Sequence, residues 1–407
     1  MSRLFEIIGG SASRRFITTR GASSTLSLFL ALSYTKILGI DKRSILAFIM
    51  VSALILTIIL TSGISLALRN KPKSQIKNEE FIGYLALISI LSLVAGVINC
   101  LLLLFYSNLK SDIPVPIFVV CFVYTFLACA NLGFQDALLA AETIRLATVF
   151  DLLTIIIQIL TLLFFVNIAQ TSLLVSVFVA FIFSYSLIAF ASAVILLNAF
   201  PTHNSMVRSG MGSIAEQSKS QQLFGIGNGL VDRLDRFLIG LILPLSFLAK
   251  YALLSSIISF ARFLPDSAAK ISLLKHHSGE RARNLAYSPR EIFFILIGGG
   301  VLVSSSQGFI YFVFGNNWIL PIYVGVLLVC QEILRGNYQI KAIKLVAQGG
   351  SRAMSRISGV LIFLSVSLIA ILVYLFGAWG APLAMLLVYL SVTLMVENEL
   401  RKFSSAH

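Results

Sequence analysis

Runs of about twenty predominantly apolar residues recur along nearly the whole chain, separated by short polar joints. A run of that length spans a hydrocarbon core about 30 Å thick as a helix. Twelve such spans are expected: Ile17–Leu38, Ile45–Ala67, Phe81–Tyr106, Pro116–Leu139, Leu146–Val166 and Ser172–Leu197, then Leu223–Phe247, Tyr251–Leu273, Ile292–Phe314, Ile319–Val346, Ile357–Phe376 and Pro382–Val396. In lipid every backbone polar group needs an internal partner, so the expected class is an all-α polytopic membrane protein. Composition agrees: charged residues are 12% of the chain, against about a quarter in soluble domains.

The basic residues set the expected topology. Arg3, Arg14, Arg15, Arg20, Arg69, Lys71, Lys73, Lys77, Arg145, Arg208, Lys219, Lys270, Lys275, Arg281, Arg283, Arg290, Lys341, Lys344, Arg352, Arg356, Arg401 and Lys402 fall at joints on one side. The other side holds only Lys36, Lys42, Arg43, Lys110 and Lys250. Lys/Arg excess marks the cytoplasm, so both termini are expected there. The net charge of +14 is thus a topological signal and implies no nucleic acid. Opposite-side joints such as Asn316–Asn317 leave no room for an external domain. Cys100, Cys121, Cys129 and Cys330 all lie inside apolar spans, which argues against a disulfide framework or a metal site. No cleavable signal is visible between Met1 and Arg20.

The segment Pro201–Gln222 is rich in Ser, Gln, Gly and His, and reads as a cytoplasmic linker between residues 1–200 and 223–407, six spans each. A shift of 205 residues places Pro116-Ile117-Phe118 over Pro321-Ile322-Tyr323, a hint of internal duplication. Copies with an even number of spans share one membrane orientation, the parallel-repeat arrangement of some transporters.

Against this apolar background stands Asp232-Arg233-Leu234-Asp235-Arg236. In a helix starting near Leu223 these charges lie roughly 14–20 Å deep, where charge is costly and usually faces a protein interior or a wet cavity. Asp232 and Arg236, four apart, can pair on one face. If the helix starts later, the group is a self-neutralising patch at the interface. Arg262 and Arg335 are further deep cations, with Glu332 one turn before Arg335. Arginine stays charged when buried and offers a planar fork of donors suited to phosphate oxygens; Glu332–Arg335 equally suits a structural ion pair. The first half offers Arg20 at the mouth of the first span, which also reads as a positive-inside anchor. It offers Asp136 and Asp151 too, which flank a turn and read as solvated or as lumen-edge carboxylates for proton or sodium coupling. The expected substrate-binding set is Arg233, Arg236, Arg262, Arg335 and Arg20. The expected polar or ion-coupling set is Asp232, Asp235, Glu332, Asp136 and Asp151. There is no Walker-type phosphate loop, no histidine within a span, no metal-ligand spacing and no nucleophile–base pair, so neither a cofactor nor an enzyme is expected.

Four ordered stretches carry a family resemblance. They are Lys36-Ile37-Leu38-Gly39-Ile40-Asp41 before a span ending Ser62-Gly63-Ile64 and Arg69; Asp232 to Gly240 followed by Lys250-Tyr251-Ala252-Leu253; Phe314-Gly315-Asn316-Asn317-Trp318; and Phe376-Gly377-Ala378-Trp379-Gly380-Ala381-Pro382-Leu383-Ala384. Together, over almost the whole chain, they resemble the polysaccharide flippases (Wzx type) of the multidrug/oligosaccharidyl-lipid/polysaccharide exporter superfamily. The resemblance implies two six-helix bundles around a central cavity that opens alternately to each side of a bacterial inner membrane. It implies a polyprenyl-diphosphate-linked oligosaccharide moved to the periplasmic leaflet, with an O-antigen unit of lipopolysaccharide biosynthesis as the first expectation and capsule or exopolysaccharide units close behind it. It leaves room for a proton or sodium gradient, and for glycan polymerase and chain-length proteins as partners. One departure is that deep cations are concentrated in the second half. With the cell interior negative, outward movement of each negative charge gains about 2.3 kcal/mol per 100 mV. The rival readings are a cation-coupled drug antiporter of the same superfamily, which would favour acidic lumen residues, and a membrane glycan polymerase or ligase, which would favour a large external loop.

Overall fold

The computed structural model describes residues 11–69, 76–110, 114–141, 144–168, 173–199, 207–259, 289–347 and 350–405. Among them every regular element is helical. The helices are α1 Ser11–Arg69, α2 Asn78–Lys110, α3 Val115–Ala140, α4 Ile144–Ile168, α5 Leu173–Ala199 and α6 Val207–Ile242. They continue with α7 Leu245–Ser259, α8 Pro289–Phe314, α9 Ile322–Ala347, α10 Ser351–Phe376 and α11 Gly380–Ser405. α1 breaks at Gly39, whose φ of 70° is the left-handed region an unbranched glycine reaches without strain. Counting α1 as two passes gives twelve helices, as expected from the spans.

Contacts divide the chain into two compact units, Ile37–Arg233 and Leu234–His407, the latter together with the residues up to Lys36. In the first, α2 packs on α3, α3 on α5, and α5 on α4. In the second, α8 packs on α9, α9 on α11, and α11 on α10. The same order of pairing occurs twice. The paired helices also keep one spacing: Val115 and Ile322, Ile144 and Ser351, Leu173 and Gly380 open them, 207 residues apart in each case. A shift of 207, rather than the 205 read from sequence, is the period of the duplicated packing.

Residues 201–222, read from their polarity as a linker, are helical from Val207, and that helix runs unbroken through the charged stretch to Ile242. Polarity hid it because this part of α6 is held by close backbone approach rather than by an apolar stripe. A Cβ on Gly210 would overlap the Glu79 carbonyl, and one on Gly83 the backbone of Gly210. Ser213 Oγ and Gln217 Nε2 donate to the buried Glu80 carboxylate at 2.9 and 3.1 Å. Gln222 Nε2 donates to the Ile59 carbonyl at 2.7 Å. Small residues that admit a second backbone, with side-chain hydrogen bonds across the seam, are how helices associate where water provides no hydrophobic drive.

The core of the Ile37–Arg233 unit gathers Leu68, Phe81, Tyr84, Ile88, Ala137, Leu138 and Leu196. Tyr84 is fully buried there. Its hydroxyl donates to the Gly133 carbonyl at 2.9 Å and lies 3.0 Å from Ser65 Oγ, so the phenol satisfies itself while joining α1, α2 and α3.

Candidate functional site

By length and apolar content, segments within α1 to α5 and across α10 and α11 can each cross a membrane. Helices α6 and α9 are not among them, because ionisable residues interrupt their apolar runs. These two helices carry most of the candidate site.

On α6, Asp235 is 4% exposed and both its oxygens are used. Oδ1 accepts from the Arg236 backbone N–H at 2.7 Å, and Oδ2 accepts from the Tyr251 hydroxyl at 2.8 Å. Tyr251 reaches it because Pro244, which has no N–H to continue the ladder, separates α6 from α7 and lets the chain fold back. Arg236 is 9% exposed, and its Nε has no hydrogen-bond partner among the described residues. Along α6, Arg236 lies roughly 9 Å before Ile242 and, measured from Leu223, roughly 20 Å in. The helix thus continues for several turns on the N-terminal side of the charges and for under two turns beyond Arg236.

On α9, Arg335 and Glu332 lie roughly 15–20 Å from Ile322, near the middle of a helix about 39 Å long. Their closest N···O distance is 3.9 Å, with Arg335 5% exposed. That separation is a loose ion pair rather than a charge-assisted hydrogen bond. α7 packs on both α8 and α9, and its Tyr251 hydroxyl bonds Asp235 of α6. The Leu234–His407 unit thus joins Asp235, Arg236 and Tyr251, and holds Glu332 and Arg335 on a helix that packs against α7.

The other expected residues lie elsewhere. Asp232 and Arg233 are half-buried, each with partners of its own, and belong to the Ile37–Arg233 unit. Asp136 pairs with Arg69 at 3.2 Å, tying α3 to the end of α1. Asp151 is half-buried on α4 and also partnered. Arg262 and the side chain of Arg20 lie outside the described residues. The middle of the Ile37–Arg233 unit carries neutral polarity instead: Asn99 Nδ2 donates to Thr125 Oγ1 at 2.7 Å, both residues fully buried.

Two residues of the site were not singled out from sequence. Tyr251 follows Asp235 by sixteen residues across a proline break, and no helical periodicity links them. Gln331, next to Glu332, is 2% exposed with an unpartnered Oε1; its signal was an amide in mid-span, one turn before Arg335. The Tyr251 contact makes a prediction. Tyr251→Phe removes one of two donors to a buried carboxylate and should cost about 1–3 kcal/mol, read as a lowered thermal midpoint of the purified protein.

No family model matches the chain, and no curated protein matches it in sequence. Solved structures do. The lipid II flippase MurJ in an inward closed conformation aligns with a TM-score of 0.72 at 12% identity, covering 95% of this chain and 87% of that one. An inward-facing multidrug resistance MATE family transporter of the MOP superfamily aligns at 0.58 and 12%, covering 94% and 95%. A MOP superfamily transporter from Pyrococcus furiosus, described by the reverse polarity of its binding pocket, aligns at 0.55 and 13%, covering 97% and 96%. The chain has the fold of the MOP-superfamily transporters. At these identities the likeness is one of fold, and substrate has to be argued from the site itself.

Proposed function

We propose that this protein is a flippase that moves a polyprenyl-diphosphate-linked oligosaccharide, an O-antigen repeat unit in the first instance, from the cytoplasmic to the periplasmic leaflet of a bacterial inner membrane by alternating access. The observation that carries the reading is Arg236: a guanidinium nine-tenths buried, with an unpartnered donor. A buried cation held this way is costly unless an anion arrives to meet it. The nearby carboxylates are committed, Asp235 to Tyr251 and a backbone N–H, and Glu332 to Arg335. The site therefore has donors to offer and few acceptors, which suits a diphosphate. A wet chamber with the Arg236 donor facing it would shelter the diphosphate and hydrated sugars while the polyprenyl tail stays in lipid. A lipid-linked cargo is also what the name of the lipid II flippase says of that protein.

The second reading, a cation-coupled drug antiporter, is supported by the MATE transporters of the same fold and by the charge balance of the described cluster. That cluster has two carboxylates to two guanidiniums. It differs in what the site must offer, since a cationic drug needs free acceptors. One experiment separates the readings: delete the gene in its native host and locate the lipid-linked units. Loss of surface glycan with complete units held on the cytoplasmic leaflet is the flippase result. Units that reach the periplasmic leaflet unpolymerised point to a glycan polymerase or ligase. Unchanged glycan with raised drug sensitivity is the antiporter result.

A further inference from the structure

The duplicated packing supplies an internal comparison. At a spacing of 207 residues, Tyr124 on α3 and Gln331 on α9 occupy one register position, and Thr125 and Glu332 the next. In the Ile37–Arg233 unit that position is dry. Tyr124 is 2% exposed and stands edge-on to Phe178 and Phe181, with Tyr185 beside it, at centroid distances of 5.5–6.0 Å. The corresponding positions of α11 are Met385, Val388 and Val392, all fully buried and aliphatic. The fold thus places an apolar surround at this register and has no structural need for an amide there.

Gln331 is nonetheless 2% exposed with an Oε1 that accepts nothing among the described residues. A buried carbonyl without a donor costs stability and calls for an unseen partner, water or ligand. The same unit holds unpartnered donors among its described residues, Gln307 Nε2, Ser358 Oγ, Thr393 Oγ1 and the one charged group, Arg236 Nε. α9, which carries Gln331, packs on α7, and Tyr251 of α7 bonds Asp235, the neighbour of Arg236. A ligand that meets both Arg236 and Gln331 must carry an acceptor and a donor. A diphosphate alone supplies acceptors, and a cationic drug supplies donors. A sugar joined to a diphosphate supplies both.

We infer that Gln331 accepts a hydrogen bond from a hydroxyl or N–H of the sugar nearest the diphosphate, and so is a specificity-determining residue of the site. This rests on the flippase reading. Gln331→Met keeps the volume and removes the acceptor. Three probes test it on the purified full-length protein in nanodiscs: farnesyl diphosphate, and farnesyl diphosphate carrying N-acetylglucosamine or galactose.

Wild type should bind the better glycosylated probe about ten-fold more tightly than the bare diphosphate, the worth of one hydrogen bond to a buried group. Gln331→Met should narrow that gap to within about two-fold, leave affinity for the bare diphosphate unchanged, and hold or raise the thermal midpoint. A gap that survives in Gln331→Met overturns the inference. So does a lowered midpoint with equal loss of all probes, the mark of an amide satisfied by structural water. So, too, does a wild type that does not distinguish the probes. A wild type that binds none of them sinks the flippase reading, and this inference with it.

Discussion

Arg236→Ala is expected to reduce glycan export about a hundred-fold while the protein stays folded in the membrane. The magnitude is that of losing charge-assisted hydrogen bonds, about 1.5–3 kcal/mol for a bond to a charged group. The fold should survive because the side chain of Arg236 is not what satisfies Asp235. That carboxylate is held by the Tyr251 hydroxyl and by the backbone N–H of residue 236, which alanine retains. Removing a buried cation with an unpartnered donor relieves desolvation, so the thermal midpoint should hold or rise. Arg236→Lys keeps the charge and loses the planar fork, and should fall between the two, about ten-fold down. Both variants are read in the deletion strain, by surface glycan and by the leaflet on which lipid-linked units accumulate, against membrane-inserted protein. Unimpaired export by Arg236→Ala would remove the anion from this site. A collapsed midpoint would instead make Arg236 part of the scaffold.

What could be read from sequence divides along a physical line. Most helices were legible because they are apolar along their own length, a property of a contiguous stretch; α6 and α9, which ionisable residues interrupt, were legible from the apolar runs on either side. The break at Gly39 was legible for a similar reason, since span lengths already require a joint near it. That Asp235 and Arg236 share one helix, and are buried in it, followed from reading the apolar residues on either side of them. What was not legible depends on which helices meet. The start of α6 at Val207 is fixed by contacts of Gly210, Ser213 and Gln217 with α2, not by any apolar period in residues 207–222. The pairing of Asp136 with Arg69 joins residues 67 apart, where the sequence suggested a solvated turn or a lumen-edge carboxylate. Tyr251 became a site residue only when α7 folded back on α6. The duplication was detectable only faintly, because its halves share a packing order rather than residues: the register that holds Tyr124 and Thr125 in one holds Gln331 and Glu332 in the other. That divergence is also where the two units part in chemistry. The Ile37–Arg233 unit keeps a neutral Asn99–Thr125 contact at mid-depth, while the Leu234–His407 unit carries charge.

Gly210→Ala should be the most destabilising of the single-methyl changes in α6, and its near neighbour should show the opposite sign. A Cβ at Gly210 would overlap the Glu79 carbonyl, and the facing Gly83 leaves no slack, since its own Cβ position overlaps the backbone at Gly210. Backbone cannot rotate away as a side-chain tip can, so α6 must move off α2. Overpacking of this kind costs about 1–3 kcal/mol. Moving α6 also withdraws Ser213 and Gln217 from Glu80, a carboxylate 6% exposed, and a buried charge stripped of donors adds several kcal/mol more. The expected sum, about 4 kcal/mol or more, should appear as a large drop in thermal midpoint and reduced membrane accumulation. Gly212 lies two residues along the same helix, and a Cβ there meets nothing within 4 Å. Gly212→Ala should therefore gain the helix propensity of alanine, about 0.5–1 kcal/mol, with no packing penalty. Because the two substitutions are chemically identical and share one helix, their difference isolates the crossing with α2. If both raise the midpoint, the first turns of α6 do not rest on α2, and the polar arm is held by something other than backbone contact. If Gly210→Ala alone fails, and Gly83→Ala fails with it, the crossing of these two backbones is what fixes the first turns of α6 in the Ile37–Arg233 unit.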